Sequence, residues 1–298
     1  MRHVRAPADK ILGNAIESAR GVPHHLFGPP MGAPRLALVG GFGEADFNGI
    51  SVLSRLASFL RRIESSGPDG RWRLTAPVLV APSANGFRWA VTGRSGRDAM
   101  PEGIEALTRA AIRRIAVRSP SEDLEYLPQV RLESPDEDER EMACLLGLPV
   151  VEQPASELAD PTLISFWRRH GGESLDVAVG REGQLEPAHC EVVFGALLAF
   201  MNRVGLLQGV DVEQDEGDLH YFDASRPFDL RCGARGLFVS HRPVGAWLQA
   251  GETVGWIYDA FDGDPRNEVR TPVTGLLSAV RRQPLVEEGG VAARVLSK

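Results

Sequence analysis

Lysine is nearly missing from this chain. Only Lys10 and Lys298 occur, so arginine supplies almost all of the 33 positive side chains, set against 40 Asp and Glu for a formal net charge of -7. No sustained basic block is present, which excludes a general nucleic-acid binder, because neutralising phosphates takes a basic face. Cysteine is scarce as well. Cys144, Cys190 and Cys232 are odd in number and widely spaced, with no C-x-x-C pair, which excludes a disulfide framework or a metal finger and fits a reducing compartment. Long hydrophobic runs are also lacking. The opening MRHVRAPADKILGNAIESARG has no apolar stretch of signal-peptide length, and no later segment approaches a membrane span, so a cytoplasmic protein with no membrane partner is expected. The seven histidines, His3, His24, His25, His170, His189, His220 and His241, stand in no H-x-x-E or H-x-x-x-H frame.

What remains is 298 residues with 43% hydrophobic content, enough for one large core and a smaller second one. LALVGG (Leu36 to Gly41) reads as a buried strand closed by glycines. In GISVLSRLASFLRRIE the apolar Ile50, Leu53, Leu56, Leu60 and Ile63 recur at helical spacing, and APVLVAP (Ala76 to Pro82) is a second strand. Strand, helix, strand is the βαβ signature of an α/β domain. The pattern continues with predicted helices over 104–115, 136–146, 161–170 and 186–204 and strands over 149–151 and 175–179. Ligands in such sheets bind at the carboxyl ends of the strands, which directs attention to the loops 40–48 and 82–100 and to the turn after Val179.

Beyond Gly209 the texture changes to acidic and irregular, then to short strand-like runs. DLRCGARGLFVS with WLQAGETVGWI resembles EVRTPVTGLLSA with LVEEGGVAARV, pairing Gly236 with Gly275 and Gly251 with Gly289 at offsets of 39 and 38. A duplication of this kind predicts a small β-barrel or sandwich of two related halves. The expected boundaries are 1–212 for the α/β domain and 213–298 for the β domain. Glycine-turn patterns of this type also occur in lipoyl and biotinyl carrier domains, but those modify a hairpin lysine, and this region has only Lys298. Trp247, Trp256 and Tyr258 read as core residues of the first repeat, with an exposed docking patch as the alternative.

The combination resembles the succinylglutamate desuccinylase and aspartoacylase family, relatives of the zinc carboxypeptidases, over nearly the whole chain from about Leu36 to Val295. The resemblance implies a mixed, mostly parallel sheet flanked by helices, plus the C-terminal all-β domain. In that family the first strand ends in a phrase close to ALVAGVHGDELNGI, whose His and Glu bind zinc. Here the phrase is ALVGGFGEADFNGI, with Gly43 at the histidine position and Asp46 at the glutamate position. The family's third ligand is a histidine at a strand end, followed by a leucine-rich phrase and LP. In RIAVRSPSEDLEYLPQVRL the landmarks are Leu124, Leu127 and Pro128, and Arg118 stands at the histidine. A guanidinium presents only donors and stays protonated, so it cannot ligate zinc. The family's general base falls in LDVAVG, where Ala178 occupies its place. Asn85 and Arg94 keep the family's separation of nine between an asparagine and a carboxylate-holding arginine, while the D-L-N-R phrase is replaced by SGRDAMPEG, with Asp98 and Gly103 keeping its outline.

A catalytic zinc site takes about three protein ligands and an open position. Loss of two imidazoles and the base together implies a pseudoenzyme without a metal cofactor, acting as a binding or regulatory module. Its ligand would be a small carboxylate-bearing molecule held by Arg94, Asn85, Arg118 and Asp46, or its partner another protein or a second copy. Alternatively, Asp46 neutralises Arg118 in a buried ion pair. The competing reading is a zinc-dependent hydrolase of an N-acyl amino acid with relocated ligands, drawn from His24 and His25 or from His189, Cys190 and Glu191. Adjacent strand residues face opposite ways, which disfavours the first pair. Cys144 lies beside Leu145 in a helical pattern and reads as a buried thiol, while His170 after Arg168 and Arg169 suits a helix C-terminus.

Overall fold

The computed structural model describes residues 16–17, 22–30, 32–43, 45–67, 71–84, 103–120, 123–154, 163–209, 219–225 and 227–297. The α/β part runs β1 (Ile16–Glu17), β2 (Pro23–Phe27), β3 (Leu36–Gly40), α1 (Phe47–Ser65), β4 (Arg73–Leu74), β5 (Val78–Ala81), α2 (Ile104–Thr108), β6 (Arg113–Arg118), β7 (Leu124–Arg131), α3 (Glu137–Leu146), β8 (Val150–Pro154), α4 (Leu163–Arg169), β9 (Glu173–Gly180), α5 (Pro187–Arg203), β10 (Leu207–Gln208) and β11 (His220–Ser225). The β part continues with β12 (Phe228–Arg231), β13 (Gly236–Ser240), β14 (Trp247–Leu248), β15 (Thr253–Tyr258), β16 (Pro265–Arg270), β17 (Gly275–Arg281), β18 (Leu285–Val286) and β19 (Val291–Leu296).

Strands β5, β3, β6 and β9 lie side by side and parallel, flanked by antiparallel β2 and β7. Residues of β3, β6 and β9 are buried on both faces, as a sheet covered by helices requires. One face carries Leu36, Leu38, Ile115, Val117, Leu175 and Val177 against the apolar stripes of α1, α3 and α5. The opposite face carries Ala37, Val39 and Ala116 against α2 and α4, with Trp167 fully buried. In α1 the buried side chains Val52, Leu53, Leu56, Leu60 and Ile63 follow the 3.6-residue period, each contributing about 1.5–3 kcal/mol on leaving water.

Three expectations need correction. The helix expected over 104–115 stops at Thr108, and Arg113–Arg118 is a central strand, because Ile115 and Val117 alternate with Arg114 and Ala116 between two covered faces. Cys144 is exposed: Met142, Ala143 and Leu146 form the buried stripe of α3 and turn position 144 outward. Trp247 is exposed, and Trp256 and Tyr258 are only half-buried, so they are not core residues of the β part.

The expected duplication is present strand for strand. Each half holds a strand, a second strand after a turn, a two-residue strand and a final strand, and the pairings exchange between halves. Thus β14 pairs with β17 as β18 pairs with β13, and β12 pairs with β19 as β16 pairs with β15. Between the resulting sheets lie Leu230, Phe238, Val254, Ile257, Leu277, Val280 and Val295. The sheet containing β17 is continuous with the α/β sheet, because β7 divides: Gln129–Arg131 bond β8, while Leu124–Tyr126 bond β17. Pro128, which has no N–H to donate, sits where β7 divides. Among the described residues no helix is long and apolar enough to cross a membrane.

Candidate functional site

The carboxyl ends of β3, β6 and β9 open on one mouth, and the chain turns there through 41–43, 45–46, 119–120 and 181–186. Asp46 caps the N-terminus of α1, where its Oδ1 accepts from the amides of Gly49 (3.2 Å) and Ser119 (2.8 Å) and its Oδ2 accepts from Phe42 (3.3 Å). The carboxylate therefore braces three segments: the loop after β3, the first turn of α1 and the end of β6. Burial pushes its pKa up, and the three amides oppose that shift.

Asn48, fully buried in the next turn, ties down the loop after β9. Its Nδ2 donates to Ser119 Oγ (3.0 Å), to the carbonyls of Arg181 (3.2 Å) and Gln184 (2.9 Å) and to Glu186 Oε2 (3.3 Å), while its Oδ1 accepts from the Glu186 amide (2.8 Å). Cys190 donates its thiol to the same Oδ1 at 3.4 Å, and burial raises that thiol's pKa. The loop so anchored brings Glu182 over Gly43, whose absent Cβ would lie 2.7 Å from Glu182 Oε1.

Arg118 and Ala178 are register partners across β6 and β9. The guanidinium of Arg118 does not reach for Asp46, as the plug alternative anticipated. It forks onto Asp176, two residues before Ala178 on the same face, with Nε to Oδ1 at 2.7 Å and Nη2 to Oδ2 at 2.5 Å. The reason is geometric: Asp46 is held by amides at the helix cap, whereas Asp176 lies on the adjacent strand one pleat down. The side chains are 28% and 8% exposed. Polar residues continue along this face, because Arg131 of β7 is the register partner of Asp176 and Glu152 of β8 that of Arg131. Glu152 also accepts from Gln129 at 3.3 Å. Just beyond β7, Glu133 has its pKa raised by burial and by the charge of Asp176.

The donor set at this mouth does not fit zinc. Gly43 has no side chain, Asp46 is held by three amides, and Arg118 offers donors only. Among the described residues no group of three or more His, Cys, Asp or Glu is placed to hold a metal ion. The relocated-ligand candidates are dispersed. His24 is buried with Nδ1 3.0 Å from the Val22 carbonyl, while His25 stacks on Phe27 from its own side of β2. His189 stands 3.7 Å from Glu125, which Arg282 also pairs, and burial lowers the imidazole's pKa; Glu191 pairs with Arg55 in solvent. His170 packs on Phe166 at the end of α4, the structural role expected of it. Asn85, Arg94 and Asp98 lie outside the described residues, and Gly103 precedes α2 in a left-handed conformation.

Sequence reasoning passed over Asn48, Asp176, Glu182 and Glu186. Asp176 carried a signal: an acidic residue inside the apolar run LDVAV demands a buried partner. Asn48 served only as a landmark of NGI, and nothing in its spacing announced five hydrogen bonds to segments 70 to 140 residues away.

The fold so built, a helix-covered mixed sheet passing through β7 into an internally duplicated β-sandwich, is that of a defined class of proteins. No family model matches the sequence, and a search of curated proteins finds no match. Solved structures do match. A succinylglutamate desuccinylase/aspartoacylase from Rhodobacter sphaeroides aligns at TM-score 0.69 and 16% identity over 95% of this chain and 93% of its own. The product-bound ectoine utilization protein EutE (DoeB) from Ruegeria pomeroyi aligns at 0.71 and 16%, covering 93% and 89%. An aspartoacylase family protein from Mesorhizobium loti aligns at 0.66 and 15%, covering 92% and 88%. The chain has the succinylglutamate desuccinylase/aspartoacylase fold.

Proposed function

We propose that this chain is a non-hydrolytic form of the deacylase fold that acts by binding. One observation carries the reading: Arg118, at the place of the third metal ligand by the sequence resemblance, is locked bidentately to Asp176, with Ala178 beside it at the place of the general base. That pair fills the mouth with a neutralised guanidinium, and no side chain at the base position can take a proton from water. A carboxylate ligand would have to compete with Asp176 for the Nε/Nη2 edge of Arg118. Polar recognition has an atom available a strand away, since Gln129 Oε1 is buried and without a hydrogen-bond partner among the described residues, while Arg131 is ion-paired with Glu152 at 3.7 Å. Arg94 remains the arginine proposed for a small acidic ligand.

The test is metal analysis of protein purified without added zinc, repeated after zinc loading and dialysis, with turnover of a panel of N-acyl amino acids measured on both samples. Zinc well below one equivalent per chain and no deacylation are expected. One tightly held zinc per chain together with release of the free amino acid would overturn the proposal in favour of a hydrolase with relocated ligands.

A further inference from the structure

The duplicated sandwich has two outward faces, and among the described residues only one of them is covered. At the offsets of 39 and 38 that relate the halves, Leu237 corresponds to Leu276, Trp256 to Arg294, Tyr258 to Leu296 and Leu285 to Trp247. On the covered side these positions meet the α/β part. Leu276 and Leu296 pack with Val150 and Phe222. Arg294 donates to the Tyr126 hydroxyl at 2.7 Å, and Trp247 meets His220 edge-on at 5.1 Å.

Among the described residues, nothing outside the β part is seen against the equivalent face of the sheet β16-β15-β13-β18. Register sets Leu237 between Tyr258 and Leu285, and Val239 beside Trp256, so five apolar side chains adjoin on one outward surface. Leu237, Val239 and Leu285 are 36%, 44% and 52% exposed. Phe261, at the tip of the β15–β16 turn, is 99% exposed, although the turn is pinned by the Asp259 carboxylate accepting from the amides of Phe261 and Asp262. An adjoining apolar surface, with a fully solvated phenyl ring in the turn that joins two of its strands, is a candidate packing face.

Charge selects the occupant. The chain carries a net -7, yet residues 227–297 hold eight Asp and Glu against eight Arg. Two copies approaching through their β parts meet neutral surfaces, whereas approach through the remainder opposes net negative ones. The rim of the patch alternates sign in pairs, Arg270 with Glu268 on one side and Arg235 with Glu287 on the other. Such a rim is self-complementary under a two-fold rotation, because each arginine can meet the partner's glutamate.

We propose that the outward face of β16-β15-β13-β18, with Phe261, is an isologous interface between two copies of this chain. Strands of six, six, five and two residues, at ~3.3 Å per residue and about 4.8 Å apart, give a footprint of roughly 300 Å², well below the ~800 Å² per partner of a standard interface. The association is therefore a reversible dimer. It stands apart from the metal and base positions, so its failure leaves the non-hydrolytic reading untouched, and the reverse holds.

The experiment is sedimentation velocity on the full chain across a micromolar concentration series, with Val239→Arg, Leu285→Arg and Phe261→Ser beside the wild type. Val192→Arg, at an exposed site on α5, is the control for surface charge. The wild type should pass from monomer to dimer with concentration. Each interface variant should raise the dissociation constant at least about tenfold, with an unchanged unfolding midpoint, and the control should behave as wild type. A wild type that stays monomeric throughout, or a dimer that survives all three variants, overturns the proposal.

Discussion

Replacing Arg118 by Met keeps most of the side-chain stem and removes the guanidinium, which leaves the Asp176 carboxylate, 8% exposed, without its fork. Removing one member of a buried ion pair costs about 3–5 kcal/mol, chiefly because the remaining charge stays desolvated. Two features reduce that figure here. Arg118 is itself 28% exposed, so part of its field is already screened, and Arg131 stands across from Asp176 on β7. A loss of about 2 kcal/mol follows from scaling the buried-pair value by those features. Replacing Asp176 by Leu at the same time removes both charges, and the double variant should return to within about 1 kcal/mol of the wild type. Urea unfolding followed by tryptophan fluorescence and far-UV circular dichroism measures the shifts in midpoint at shared slope. If Arg118→Met and Asp176→Leu each cost the same alone as in combination, the two residues are energetically independent. The guanidinium would then be held for a ligand, and the account of a filled mouth would be wrong.

Gly49→Ala reverses an ordinary rule. Alanine within a helix is normally favoured over glycine by about 1 kcal/mol, but here the added Cβ would strike the Val117 carbonyl oxygen and come within 2.9 Å of Asp46 Oδ2. A loss of at least about 2 kcal/mol is expected in urea unfolding, and a gain would show that α1 does not approach β6 this closely. For Glu186, burial is the first cause of a pKa raised above 4.5, with the nearby charge of Glu125 adding to it. A raised value means stability present below the unfolded pKa and lost as pH rises through the folded one. Wild-type stability relative to Glu186→Gln should therefore fall as pH climbs from about 4 to 7, on top of a fixed offset from the amide. A difference independent of pH would refute the shift.

How much was legible follows from the range over which each interaction acts. The apolar run from Leu36 closed by glycines, the helical stripe from Leu53 to Ile63 and the 38–39-residue repeat are local or periodic, and all can be read along the chain. The helix expected over 104–115 overruns the first three residues of β6, because a short run buried on both faces has no period of its own, whereas the phrase resemblance does set Arg118 at a strand end. The outward turn of Cys144 and of Trp256 depended on which stripe the neighbours would bury. At the mouth, Gly43, Asp46, Arg118 and Ala178 were identified from phrases, and the register of β6 with β9 brings the last two side by side.

Residue identity alone determined what these positions are unable to do: glycine and alanine carry no ligand or base, and a guanidinium binds no cation, in any fold. Tertiary structure decided what they do with one another. Arg118 met Asp176 and not Asp46 because strand pairing brings two residues 58 apart in sequence to 2.7 Å, while the amides at the cap of α1 already hold the Asp46 carboxylate. It likewise decided that, among the described residues, one face of a duplicated sandwich is covered and its twin is exposed. Halves alike in sequence differ in surroundings because β7 pairs with β17, while β13 pairs only with β15 and β18 among the described residues.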